Sequence, residues 1–182
     1  MEKESRRVRM TKKLLKDALM ELLEERPLAK IKIKEICDRA DVNRTTFYAY
    51  YESAETLLRD IENEALEQIP IPDRVPTPSG DDEYIGMMEA FLEYVKYNKR
   101  LFTILILKSE SSRFSERLIQ LLQDKFRSRM FMKEGLIAEY KYLFCLTGFL
   151  GVFRHWIEQD FPLPSRDFAL FVIRMAISGA QN

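Results

Sequence analysis

The chain has 182 residues, 46% of them hydrophobic and 32% charged, which is enough apolar length for a folded core and too much for a disordered chain. Its 29 basic and 29 acidic side chains cancel, so no global positive field advertises a nucleic-acid partner. The start of the chain is charged with no apolar stretch behind it, and the most apolar runs, 101–107 and 143–153, fall short of the roughly 20 residues a membrane span needs, so a cytoplasmic protein with no membrane association is expected.

Charge is unevenly spread at the start, where residues Met1 to Lys16 hold seven basic side chains against two acidic ones. Such a segment reads as a solvated terminus or as an arm in which Arg6, Arg7 and Arg9 reach toward a minor groove. Leu14, Leu15, Ala18, Leu19, Leu22 and Leu23 then recur at helical spacing, predicting a helix over about 11–25 with Thr11 as its cap and Pro27 beyond its end. Ile33, Ile36, Cys37 and Ala40 follow the i, i+3, i+4, i+7 pattern of a short second helix. Asp41 stands where a sharp turn wants left-handed backbone, and Asn43 is a good cap for a third short helix over 44–51. Ser53 can cap a fourth, carrying Leu57, Leu58, Ile61 and Ala65.

The clearest boundary is a linker of Pro70, Pro72, Pro76 and Pro78 followed by Ser79 and Gly80, which cannot propagate a helix. Beyond it the periodicity predicts helices at about 82–97, 99–108, 112–133, 137–159 and 164–179, broken near Ser111, at Gly135 and at Phe161-Pro162-Leu163-Pro164. No convincing strand and no internal repeat is present, so the fold class is all-α. Three parts follow from this: residues 1–52, a connecting helix and Pro-rich linker over 53–81, and a helical domain over 82–182.

The stretch VNRTTFYAYY, residues 42–51, crowds four aromatic rings into five positions beside Arg44. On a helix, Phe47 and Tyr51 share one face while Tyr48 and Tyr50 point elsewhere, which divides the rings into a buried and an exposed pair. Three short helices with a tight turn before the last make a helix-turn-helix, whose final helix enters the major groove. Arg44, Thr45 and Thr46 would then lie nearest the groove floor, with the hydroxyls of Tyr48 and Tyr50 within reach of phosphates.

The segment IKIKEICDRADVNRTTFYAYYESAETLL at residues 31–58 resembles the TetR family of bacterial transcriptional regulators. That resemblance implies an all-helical homodimer with an N-terminal helix-turn-helix DNA-binding domain at 1–52, and a C-terminal domain that binds a small ligand and dimerises through its last two long helices. Lys32 stands where the family usually has a capping Thr or Ser, which costs about 1 kcal/mol of helix stability. Asp41 replaces the usual turn Gly, and Tyr50 and Tyr51 replace the common His and Phe. Ala54 replaces a Lys that commonly meets a phosphate, leaving Ser53 and the backbone N–H groups of the fourth helix to hold it. The expected DNA contacts are Lys32, Arg44, Thr45, Thr46, Tyr48, Tyr50 and Ser53.

In the C-terminal domain Phe91, Tyr94, Phe102, Phe126 and Tyr142 are the expected wall residues for a small apolar or aromatic effector. Gly148 and Gly151, with Cys145 and Val152, suit either a close helix approach across a dimer seam or a bend around a cavity, and the stripe Ala169, Val172, Ile173, Ala176 and Ile177 favours a dimer bundle. A single histidine, two isolated cysteines and six scattered glycines give no catalytic, metal or phosphate-cradling pattern, so neither an enzyme nor a cofactor is expected. The expected function is a ligand-responsive dimeric transcriptional regulator, a repressor in the first reading, that binds a palindromic double-stranded operator through 44–51. The alternative is a related coregulator acting through protein contacts without specific DNA binding.

Overall fold

The computed structural model describes residues 5–70, 81–108, 113–130 and 135–181, and within them all side chains except those of 81–84, 123–130, 138, 142 and 176–181. The proline linker at 71–80, the break at Ser111 and the ends of the helix expected over 112–133 lie outside the described residues.

The first helix, α1, covers Arg6–Glu25, longer at its start than the expected 11–25. Ser5 is the cap, its Oγ accepting from the Val8 N–H at 3.3 Å. Thr11 is instead an interior residue whose hydroxyl donates back to the Arg7 carbonyl at 3.0 Å, the usual way a mid-helix threonine satisfies its oxygen. Arg6, Arg7 and Arg9 therefore belong to a helix and not to an extended arm.

A 3₁₀ turn at Leu28–Lys30 leads to α2, Ile33–Ala40. Lysine has no acceptor to cap with, and here the Glu35 carboxylate takes the Lys32 N–H at 2.9 Å. The helix closes through Asp41 in left-handed backbone, φ 52° and ψ 44°, with the Val42 N–H donating to the Cys37 carbonyl at 3.0 Å. Asn43 then caps α3, Arg44–Tyr48, by accepting the Thr45 N–H at 2.7 Å. This helix is shorter than the expected 44–51 because the Tyr50 N–H tightens onto the Phe47 carbonyl, at 2.9 Å, and ends the regular turn. Helix α4, Ala54–Glu67, follows.

Helices α1, α2 and α4 pack together and α3 packs on α2. Leu15, Leu19 and Leu22 of α1 bury completely with Ile36, Phe47 and Leu57, so each amphipathic stripe turns its apolar side to one core.

The later helices are α5, Asp81–Tyr97; α6, Lys99–Phe102; α7, Arg113–Met130; α8, Leu136–Glu158; and α9, Ser165–Gln181. The single helix expected over 99–108 is divided, since Thr103–Lys108 widens into a π-helical turn that buries Ile104, Leu105 and Ile106 in succession. Arg154 of α8 holds the end of this turn, its Nη1 donating to the Ile106 carbonyl at 2.9 Å and its Nη2 3.5 Å from the Leu107 carbonyl.

Helix α9 packs on α5 and α8 around an aromatic core. Trp156 stacks on Phe168 with ring centroids 4.7 Å apart, and its indole N–H donates to the Leu163 carbonyl at 3.0 Å. That bond pins the Phe161-Pro162-Leu163-Pro164 break, which α8 enters through Asp160 and Phe161, both at positive φ. Cα packing divides the chain into two compact units, the first carrying α1–α4 and the second α5–α9. The described residues contain helix and turn but no strand, and no described helix is long and apolar enough to cross a membrane.

Candidate nucleic-acid interface

The interface is built from α3 outward. Asp41 and Asn43 aim the helix, and Phe47 and Tyr51 anchor it. Phe47 is fully buried and lies edge-to-face with Tyr48 at 5.6 Å and tilted against Tyr51 at 6.0 Å. With those two rings inside, Arg44, Thr45 and Tyr48 stand exposed, Tyr48 at 57%, while Thr46 is half-buried. The N-terminal turn of α3 thus presents a guanidinium and two hydroxyls from a rigid, short element, the chemistry that reads base edges and grips phosphates.

The surrounding residues are placed less uniformly. Tyr50 is half-buried, and the Lys12 ammonium sits over its ring, 5.9 Å from the centroid. Ser53 is also half-buried and shares a reciprocal cap with Thr56: the Thr56 N–H donates to Ser53 Oγ at 3.3 Å, and the Ser53 N–H to Thr56 Oγ1 at 3.0 Å. Its hydroxyl is therefore engaged in starting α4. Ser53 also hydrogen-bonds Glu55 and holds that carboxyl below the usual range. Ala54 is buried at 6%, so this helix start offers backbone and no cation. Lys32 is exposed at the start of α2.

Two features of the support go beyond the sequence expectations. The hydroxyl of the buried Tyr51 donates to Asp60 Oδ2 at 2.7 Å, and that same oxygen lies 3.0 Å from the Lys16 ammonium, which also reaches Glu64 at 2.7 Å. Burial alone would raise the Asp60 carboxyl, but the Tyr51 hydroxyl and Lys16 outweigh it and hold it below the usual carboxylate range. Burial likewise opposes the charge on Lys16, and its two carboxylates reverse the effect and raise it. A tyrosine at a core position needing a partner for its hydroxyl was the available signal. Lys12 over Tyr50 had none, since it depends on how α1 passes α3.

Of the expected effector residues, Phe91 and Phe102 are buried in the second unit, and Tyr94 is half-buried. Tyr94 and Phe102 meet at 5.7 Å, Phe102 meets Phe114 at 6.0 Å, and Phe91 meets Phe153 at 5.6 Å. The side chains of Phe126 and Tyr142 lie outside the described residues.

Residues 15–61 match the family model for bacterial regulatory proteins of the tetR family, and residues 82–178 match a model for a transcriptional regulator C-terminal region. Among solved structures, a TetR transcriptional regulator from Streptococcus agalactiae 2603V superposes with a TM-score of 0.74 at 23% identity, covering 94% of this chain and 96% of that one. The dihydroxyacetone kinase operon activator DhaS superposes with a TM-score of 0.62 at 18% identity, with 94% and 96% covered. No curated protein matches the sequence. The two family models together define a helix-turn-helix transcriptional regulator with a distinct C-terminal region. The chain belongs to the TetR family.

Proposed function

We propose that the protein is a ligand-responsive, dimeric repressor that binds a palindromic operator through α3 of each subunit. The observation that carries the DNA reading is the division along VNRTTFYAYY, where buried Phe47 and Tyr51 leave Arg44, Thr45 and Tyr48 facing solvent. Arg44 and Thr45 read bases. Thr46, Tyr48, Tyr50, Lys32 and the α4 start at Ser53 hold phosphates, and these residues of the 1–52 part and its connecting helix make up the DNA-binding function.

Dimerisation is supported by an apolar face on α8. Leu136, Ile137, Tyr140, Leu143 and Phe144 are exposed, Phe144 at 76%, and they continue into exposed Gly148, Gly151 and Val152, where an added Cβ at either glycine meets nothing within 4 Å. On α9, Ala169, Val172 and Ile173 are buried within the chain while Phe171 and Met175 remain outside. A face of this extent on two adjacent helices suits a second copy meeting it as a four-helix bundle. The aromatic core around Phe91, Tyr94 and Phe102 suits an apolar or aromatic effector held by the 82–182 part. Effector and DNA then oppose each other with equal factors in both directions.

Selection of bound duplexes from a random pool with the full-length protein tests this reading. A palindromic consensus supports it, and recovery of no preferred sequence overturns it. DhaS, which shares the fold, is named as an activator, so activation is the second reading for the direction of control. A reporter driven from the selected duplex separates the two by its sign.

A further inference from the structure

The six basic side chains of the first three turns of α1, Arg6, Arg7, Arg9, Lys12, Lys13 and Lys16, do not all have the same fate. At about 100° per residue, five of them, all but Arg7, share an arc of about 120° beside the helix's buried stripe. Lys16, on this arc, is committed to Asp60 and Glu64, and Lys12, at its edge, lies over the Tyr50 ring. Elsewhere in the same unit Arg26 pairs with Glu35, and Arg39 with Glu25 at 2.8 Å. Arg6, Arg9 and Lys13 differ. All three are exposed, and none has an ion-pair partner among the described residues. They follow one another at spacings of three and four, a continuous cationic strip on a rigid helix.

We propose that Arg6, Arg9 and Lys13 form a second phosphate-holding strip that grips operator backbone beside the contacts of α3, adding affinity without sequence preference. The inference rests on the DNA-binding reading above and extends it to a helix that no base contact requires. Lys12 over Tyr50 fixes the side on which the strip runs, because it joins this edge of α1 to the edge of the interface that Tyr50 marks. Neutral overall charge points the same way: where the 29 positive charges are balanced by 29 negative ones, a run of cations left without acidic partners is a local device for an anionic polymer.

The test uses the full-length protein, the duplex recovered by selection, and a scrambled duplex of the same length, with affinity measured across a salt series. Arg9→Gln/Lys13→Gln should lower the slope of log affinity against log salt by about 0.9 for each phosphate no longer neutralised, so by about 1.8 per half-site. The affinity loss should be the same factor on both duplexes, and Arg9→Lys/Lys13→Arg should restore the slope. An unchanged slope overturns the strip, as does a loss confined to the selected duplex, which would mean base reading. If the parent protein itself binds neither duplex with any salt dependence, the DNA reading falls and takes the strip with it. If the parent binds and only the variant's slope fails to move, the strip alone is wrong.

Discussion

The Tyr51 hydroxyl and the Asp60 carboxylate meet at 2.7 Å, joining the end of the recognition segment to α4. Lys16 reaches the same carboxylate, so one oxygen gathers α1, α4 and the segment after α3 at a single point. The position of α3 is therefore set by a polar clasp as well as by the burial of Phe47.

Removing the hydroxyl while keeping the ring, Tyr51→Phe, should cost about 1 kcal/mol in denaturant unfolding, below the usual range for a bond to a charged partner because Asp60 stays partly solvated. Asp60→Asn should show the pH signature. The folded pKa of Asp60 is depressed, so its contribution is complete above the unfolded value of about 3.9 and is lost as pH falls through the lower folded value. The stability gap between parent and Asp60→Asn should stay constant from neutral pH down to about 4 and narrow below it. A gap that stays constant on acidification would show that the clasp does not favour the charged carboxylate, and one that widens would show a shift of the opposite sign.

Arg44→Ala should cost about 1–3 kcal/mol on the selected duplex and flatten preference at one base pair of each half-site. Tyr48→Phe should cost less and leave the ranking of duplexes unchanged. If Tyr48→Phe reorders that ranking and Arg44→Ala does not, the two roles are assigned backwards.

Phe47→Ala should lower stability by about 3–5 kcal/mol, since it empties a fully buried aromatic site, whereas Tyr48→Ala should change the melting temperature little. Thermal melts of both variants decide it. Equal losses would mean that Phe47 is not the anchor.

Asp41→Gly should stabilise the protein by about 0.5 kcal/mol, because glycine relieves left-handed strain that exceeds its own entropic cost. Calorimetry showing a lower melting temperature would mean that the aspartate side chain supports the turn by more than its backbone costs.

Phe144→Glu should convert a sedimenting dimer to monomer at micromolar concentration, since it puts a charge at the most exposed apolar position on the α8 face. A parent that sediments only as monomer would refute the dimer outright.

What is legible in the sequence is what nearby residues decide. Asp41 for the left-handed turn, Asn43 for the cap and the spacing of Phe47 and Tyr51 for the buried pair are all local choices, and the structure has each of them. The α1 start is less legible because the apolar stripe begins well inside the helix, while Ser5 starts it under a cover of charged residues. The clasp at Asp60 joins residues nine and forty-four positions apart, and Lys12 meets Tyr50 across thirty-eight, so no window along the chain contains them. The π-helical turn is hidden for a different reason: TILIL has the apolar content of any core helix, and nothing in its pattern announces a wider winding.

That wider winding sets a choice of register. Thr103–Lys108 carries an extra residue relative to α-helical geometry, and a return to α-helix would swing the residues beyond it by about 100° around the axis. Arg154 braces the wide form from α8 through its bond to the Ile106 carbonyl. One guanidinium thus ties the winding of this segment to α8.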